Sequence, residues 1–169
     1  LLANFSEIIQ YLRLSSEDSI INILPFYYSY GNSILHTHLL SGAAIHLENS
    51  FMYPAKVLQK MSEYRITGFS GVPATYSILL NRTNMQDYDL SSLRYITQAG
   101  GAMPPANIQR IQKLLPDVKI FIMYGQTEAT ARISYLEPEL INTKLGSIGK
   151  PLKGLTIQIR DDNNQIANT

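Results

Sequence analysis

Cysteine is absent from the chain, which removes disulfides, thiolate metal sites and a cysteine nucleophile from consideration. An excess of charge is missing as well: 14 basic residues face 13 acidic ones, for a formal net charge of +1. There is no basic surplus to draw in nucleic acid or an anionic membrane. No apolar run approaches the roughly 18 residues of a transmembrane helix. No GxGxxG dinucleotide fingerprint and no GxSxG nucleophile elbow occurs. A GxxxxGK[ST] phosphate loop fails too, because "GSIGKP" has two residues between its glycines and Pro151 follows Lys150. No charged leader or cleavage site opens the chain, and the expected location is cytoplasmic.

What is present is globular. Of 169 residues, 45% are hydrophobic and 16% charged, enough for one ordinary domain with its own core. Short apolar runs alternate with amphipathic stretches. Strands are expected at Ile20–Leu24, Ala43–Leu47, Ile66–Ser70, Arg94–Gln98 and Lys119–Tyr124. Helices are expected at Gly31–Ser41, at Pro54–Tyr64, from Pro73 to about Leu80, and at Pro105–Leu115, with proline opening three of them. A polar connection fills Thr83–Ser92. The alternation predicts an α/β fold, a largely parallel sheet with helices on both faces.

Both ends look incomplete. Leu1, Leu2, Phe5, Ile8, Ile9 and Leu12 recur at helical spacing, with no capping residue ahead of them. Leu155–Arg160 reads as a strand and "DDNN" (Asp161–Asn164) as a turn, with only "QIANT" following. The chain is expected to be a piece of a longer protein. Residues 1–143 would form the α/β part, and 144–169 the incomplete start of a following β element.

His36 and His38 are two apart and would point to different faces of a helix. With no carboxylate or cysteine nearby to complete a metal site, ordinary packing or surface roles are expected for them and for His46.

Ligands of open α/β sheets bind beyond the carboxyl ends of the strands. Three strands end in "GVPATY", "AGGAMPP" and "YGQTEAT", and these loops would share one rim if the strands are parallel neighbours. In "AGGAMPP" the paired glycines Gly100 and Gly101 fit either a tight turn or a close approach of backbone to a flat ligand. "YGQTE" also has two readings. It can be a strand end and helix cap, with Thr127 capping and Glu128 in the first turn. Alternatively, Tyr124 offers an aromatic face to a base, Gly125 gives the backbone room, Thr127 offers a hydroxyl to phosphate, and Glu128 offers a carboxylate to Mg²⁺.

Taken together, "LPFYYSYGNSILHTHLLSGAAIHL", "GFSGVPATYSILL", "DLSSLRYITQAGGAMPP", "MYGQTEATAR" and "GSIGKPLKG" resemble, in order, segments of the adenylate-forming superfamily, and most of all its acyl-CoA synthetases. The resemblance covers essentially the whole chain. It implies an AMP-forming acid–thiol ligase. A carboxylate attacks the α-phosphate of ATP to give an acyl-adenylate and pyrophosphate, and a thiol, CoA or that of a carrier protein, then displaces AMP. Carried over by motif, Thr127 and Glu128 would be catalytic, with Glu128 on Mg²⁺. Gly100, Gly101, Ala102, Met103, Tyr124, Gly125, Gln126 and Thr127 would bind ATP or AMP, and Tyr124 would stack on adenine. Tyr28, Gly71 and Gln98 would line the acyl pocket, although Tyr28 also reads as a core aromatic.

The chain departs from the family pattern at two positions. Ile122 stands where peptide-synthetase relatives place an asparagine that meets the adenine amino group. Ser29 stands where amino-acid-activating relatives place the aspartate that binds the substrate ammonium, and Pro25–Gly42 contains no acid. A buried ammonium without a counter-charge is costly, so a fatty or aryl acid is favoured over an amino acid. The family's phosphate loop would precede Leu1. Its ribose-binding aspartate, hinge and mobile C-terminal domain would follow Thr169, so the segment alone is expected to be inactive. The alternatives are a truncated, non-enzymatic nucleotide- or partner-binding module, or a piece of an amino-acid adenylation domain.

Overall fold

The computed structural model describes residues 1–167. In chain order the main elements are α1 (Leu2–Leu12), β1 (Ser19–Asn22), α2 (Ser29–Ser41), β2 (Ala44–Leu47), α3 (Pro54–Glu63), β3 (Gly68–Gly71), α4 (Pro73–Arg82), β4 (Tyr95–Gln98), α5 (Pro105–Leu114), β5 (Lys119–Gln126), β6 (Thr130–Leu136) and β7 (Lys150–Pro151). The strands form one seven-stranded sheet in the order β2-β1-β3-β4-β5-β6-β7. The β1–β2, β1–β3, β3–β4 and β4–β5 pairs are parallel, whereas β6 and β7 add antiparallel at one edge. The expected α/β fold is the one observed.

Successive strand residues face opposite ways, and the core divides accordingly. Ile20, Tyr95 and Phe121 pack with Phe5, Ile8 and Leu12 of α1 and with Tyr30 and Ile34 of α2. Ile21, Ile96, Ile120 and Ile122 pack with Val57, Leu58 and Met61 of α3, Tyr76 and Leu79 of α4, and Ile108 and Ile111 of α5. Two helices therefore cover one face and three the other. The chain steps outward from β1 to β2, then returns past β1 to β3 and proceeds the other way. Right-handed crossovers in opposite directions place their helices on opposite faces. The reversal between β1 and β3 opens a crevice at the carboxyl ends of those strands.

Proline starts α3, α4 and α5 as its fixed φ favours. The connection after α4 holds a short 3₁₀ turn, Met85–Asp87, and buries Met85 and Leu90.

Three expectations are overturned. Leu1 and Leu2 are exposed, although the helical spacing put them on the buried face. Thr127 and Glu128 do not open a helix: they form the turn of a β5–β6 hairpin, because Thr130–Leu136 pairs back onto β5. Leu155–Arg160 forms no strand, and the described residues there make only an isolated Arg160–Ile166 bridge. The Asp161–Asn164 turn is present, with Asp161 Oδ1 accepting from the Asn163 and Gln165 amides. Asn168 and Thr169 lie outside the described residues.

Candidate functional site

Because β1, β3, β4 and β5 run parallel, their carboxyl ends lie along one edge. Gly71, Gln98 and Ile122 stand level across β3, β4 and β5. Each strand then feeds a loop onto the same rim, and specific contacts tie these loops together. Tyr28, from the β1–α2 connection, reaches over the paired glycines. A Cβ on Gly100 would lie 2.6 Å from the Tyr28 hydroxyl and 3.1 Å from Val72. Gly100 also has φ +81°, so both the space and the backbone conformation require glycine there. At the start of α2, Ser29 shares a 3.3 Å hydrogen bond with the Thr127 hydroxyl of the hairpin turn. The rim thus joins the β1–α2, β3–α4 and β4–α5 connections to the β5–β6 hairpin.

The hairpin carries the polar cluster. Gln126, Thr127 and Glu128 are exposed, and the turn closes by the Ala129 amide donating to the Gln126 carbonyl at 3.2 Å. Gln126 Nε2 donates to the half-buried Tyr124 hydroxyl at 2.6 Å. Gly125 sits in a β-bulge, where residues 131–133 of β6 lie opposite it alone. A Cβ there would fall 2.1 Å from the Ala131 carbonyl oxygen.

Glu128 forms no ion pair with the described residues, and no group of three His, Asp or Glu able to hold a metal occurs among them. An exposed, uncommitted carboxylate suits Mg²⁺, which is commonly bound by one or two carboxylates together with substrate phosphates.

The expected acyl-side residues lie at or just below the rim. Gly71 is buried against Thr75, where a Cβ would come within 2.8 Å of that side chain. Gln98 is buried, and its Nε2 donates to the Gly101 carbonyl at 2.7 Å. Its Oε1 has no partner among the described residues. The glycine segment splits: Gly100, Gly101 and Ala102 are exposed, while Met103 turns into the core under α3–α5. Ile122 is also in that core.

Beneath the rim, on the α1/α2 face, lies a polar layer. Thr97 Oγ1 shares hydrogen bonds with the Tyr30 hydroxyl at 2.6 Å and with Ser70 Oγ at 2.7 Å. The Tyr76 hydroxyl donates to the Thr97 carbonyl at 2.6 Å from the opposite face. His38 is buried, with Nε2 2.8 Å from the Tyr95 hydroxyl and Nδ1 2.8 Å from the Ile34 carbonyl. Burial drives its pKa down to about 4, the Ile34 carbonyl opposes the shift, and the Arg132 charge adds to it. His36 points elsewhere and stacks on Phe5.

The residue that sequence reasoning passed over is Arg132. Its side chain is buried, with Cζ 5.3 Å from the Tyr30 ring centroid. None of its guanidinium nitrogens makes a well-aligned hydrogen bond with the described residues. Burial raises the Tyr11 pKa to about 12, opposed by the charge of Arg132 and by its approach to the phenol oxygen, while the phenol itself donates to Met123 Sδ at 3.0 Å. Burying an unpaired charge costs several kcal/mol, and a desolvated cation–π contact returns only about 2 kcal/mol. An arginine inside the alternation "TARISYL" was the signal available in the sequence.

The chain as a whole is similar to known proteins. The family model described as AMP-binding enzyme matches residues 1–168, and the chain belongs to that family. It is 32% identical over 150 residues to 2-succinylbenzoate–CoA ligase of Bacillus pumilus (strain SAFR-032), covering 89% of this chain and 30% of that protein. It is 29% identical over 154 residues to 4-coumarate-CoA ligase 1 of Narcissus pseudonarcissus, covering 89% of this chain and 28% of that one. Among solved structures, o-succinylbenzoate CoA synthetase of Bacillus subtilis with its acyl-adenylate intermediate superposes with a TM-score of 0.83 at 29% identity, over 98% of this chain and 33% of that one. The same enzyme with ATP and magnesium ion gives a TM-score of 0.82 at 28% identity, over 98% and 34%. The chain spans about 30% of the length of the curated relatives it matches.

Proposed function

We propose that this chain is the central nucleotide- and acyl-binding part of an AMP-forming acid–thiol ligase. The observation that carries this reading is the convergence at one rim: Tyr28 over Gly100, and Ser29 bonded to Thr127. Tyr124 offers its ring to adenine, Thr127 its hydroxyl to phosphate, and Glu128 its carboxylate to Mg²⁺. The backbone of Gly100–Met103 lines the nucleotide. Tyr28, Gly71 and Gln98 face the acyl group. When bound, the magnesium ion would neutralise phosphate charge. The chain's own contribution is to orient the reacting groups and to place polar groups where charge develops, which is most of what an in-line displacement requires.

The acid is one whose acyl part carries no ammonium, in the first instance a fatty acid. Pro25–Gly42 supplies no acid to meet a positive charge, and Ser29 is engaged with Thr127. The acceptor is a thiol, CoA or that of a carrier protein. A cytoplasmic location, and a division of the chain after residue 143, belong to the same reading. Among the described residues no helix is long and apolar enough to cross a membrane.

Calorimetry of this chain with AMP tests the nucleotide role. Weak binding that Tyr124→Ala abolishes is expected. Heat identical for the parent chain and Tyr124→Ala would contradict it. With ATP, Mg²⁺ and fatty acids, the 169-residue chain alone should release no pyrophosphate above background.

A further inference from the structure

Among the described residues Arg132 is the buried charge that has no charged partner, and the nucleotide reading gives it no role. It is 1% exposed, and among the described residues its Nε, Nη1 and Nη2 make no well-aligned hydrogen bond and meet no carboxylate. The buried carboxylate on this side, Asp18, is already taken by Arg94 at 2.8 Å. Glu48 and Glu137 are paired with Lys60 and Lys150. The guanidinium faces the Tyr30 ring on α2, whose hydroxyl bonds to Thr97, and the Tyr11 phenol on α1.

The location is specific. The Arg132 amide nitrogen would lie 2.7 Å from a Cβ on Gly125, inside the bulge of the polar hairpin. Tyr30 directly follows Ser29, the residue bonded to Thr127. The guanidinium is buried against the Tyr30 ring of α2, and the backbone of Arg132 belongs to the bulge of the polar hairpin. A planar fork of donors held in low dielectric is matched by a carboxylate, which it can bind through two parallel hydrogen bonds.

We propose that Arg132 anchors a second, distal carboxylate on the acyl substrate, so that the acid activated here is a dicarboxylic acid. This rests on the ligase reading above and narrows its substrate class. The reacting carboxylate would lie at the rim beside Thr127, and the distal one would pass below it to the arginine. The nitrogens are enclosed in this structure, so entry requires the exposed Thr127–Ala129 turn to lift from α2 by breaking the Ser29–Thr127 hydrogen bond.

The test uses the full-length chain containing these residues and matched probes, octanoate against suberate and benzoate against terephthalate. Calorimetry should show a diacid binding about 10- to 100-fold more tightly than its monoacid, the worth of a charge-assisted hydrogen bond. Arg132→Met should erase the preference, and Arg132→Lys, which keeps the charge without the fork, should retain part of it. Arg132→Met should melt no lower than the parent, since it removes an unpaired buried charge. If that variant fails to fold, Arg132→Lys decides by the size of its preference. No preference for either diacid in the parent overturns the proposal, as does an undiminished preference in the variants. ATP–pyrophosphate exchange separates the two readings. Equal exchange with octanoate and suberate in parent and Arg132→Met leaves the ligase standing and removes the anion site. No exchange with any acid, alongside diacid binding lost in Arg132→Met, keeps the anion site and removes the ligase.

Discussion

Thr97 satisfies two buried hydroxyls at once, those of Tyr30 and Ser70. Thr97→Val keeps the shape and takes the shared partner from both hydroxyls, leaving Tyr30 and Ser70 only each other, at a cost of roughly 1–3 kcal/mol. Urea unfolding should show that loss, with Thr97→Ser losing much less. His38 supplies a pH signature. The folded chain holds it neutral down to about 4, whereas the unfolded chain takes up a proton near the ordinary 6.5. The unfolded state thus binds more protons between these values, and stability falls as pH drops through that window. From pH 7 to pH 5 the loss should be about 2 kcal/mol, and His38→Gln should flatten the slope. Asp18 acts in a separate window. Burial pushes its pKa up, but the Arg94 hydrogen bond, helped by Ser15 and Thr67, outweighs this and leaves it lowered. Its contribution fades only as pH falls below the ordinary 3.8.

At the scale of elements, the β5–β6 hairpin decides whether the polar cluster reaches the rim. Gly125→Ala would drive a methyl into the Ala131 carbonyl at 2.1 Å. Overpacking of this kind costs about 1–3 kcal/mol, and thermal unfolding should register it together with weakened AMP binding. Sequence reading located most elements because their signals are local: Pro54, Pro73 and Pro105 begin helices, and the apolar strands lie between them. It missed β6 because Arg132 and Ser134 interrupt the apolar pattern, and both are buried by pairing across to β5 and by packing under α1 and α2. "QTE" carries the residues of a helix cap, and strand pairing overrode that local preference. Leu155, Ile157 and Ile159 alternate as a strand should, yet all three are exposed, and no strand among the described residues covers them. The rim loops were legible from the glycines and from "YGQTE". The contacts that join them, Tyr28 over Gly100 and Ser29 to Thr127, depend on strand order and could not be read from spacing.

For the molecule as a whole, sheet order is what makes a site. The reversal between β1 and β3 brings the Tyr28–Ser29 corner beside loops from strands much later in the chain. The chain belongs to the AMP-binding enzyme family, and its fold superposes on o-succinylbenzoate CoA synthetase of Bacillus subtilis with a TM-score of 0.83. Glu128 is the sole carboxylate in the polar turn of the hairpin, and the proposed chemistry needs it on the metal. The most direct test is acid-dependent ATP–pyrophosphate exchange by the full-length chain, with and without Glu128→Gln. Exchange that falls about 100-fold or more in the variant, as loss of a preorganised electrostatic contact does, is the predicted result. Exchange at the parental rate in Glu128→Gln would contradict it.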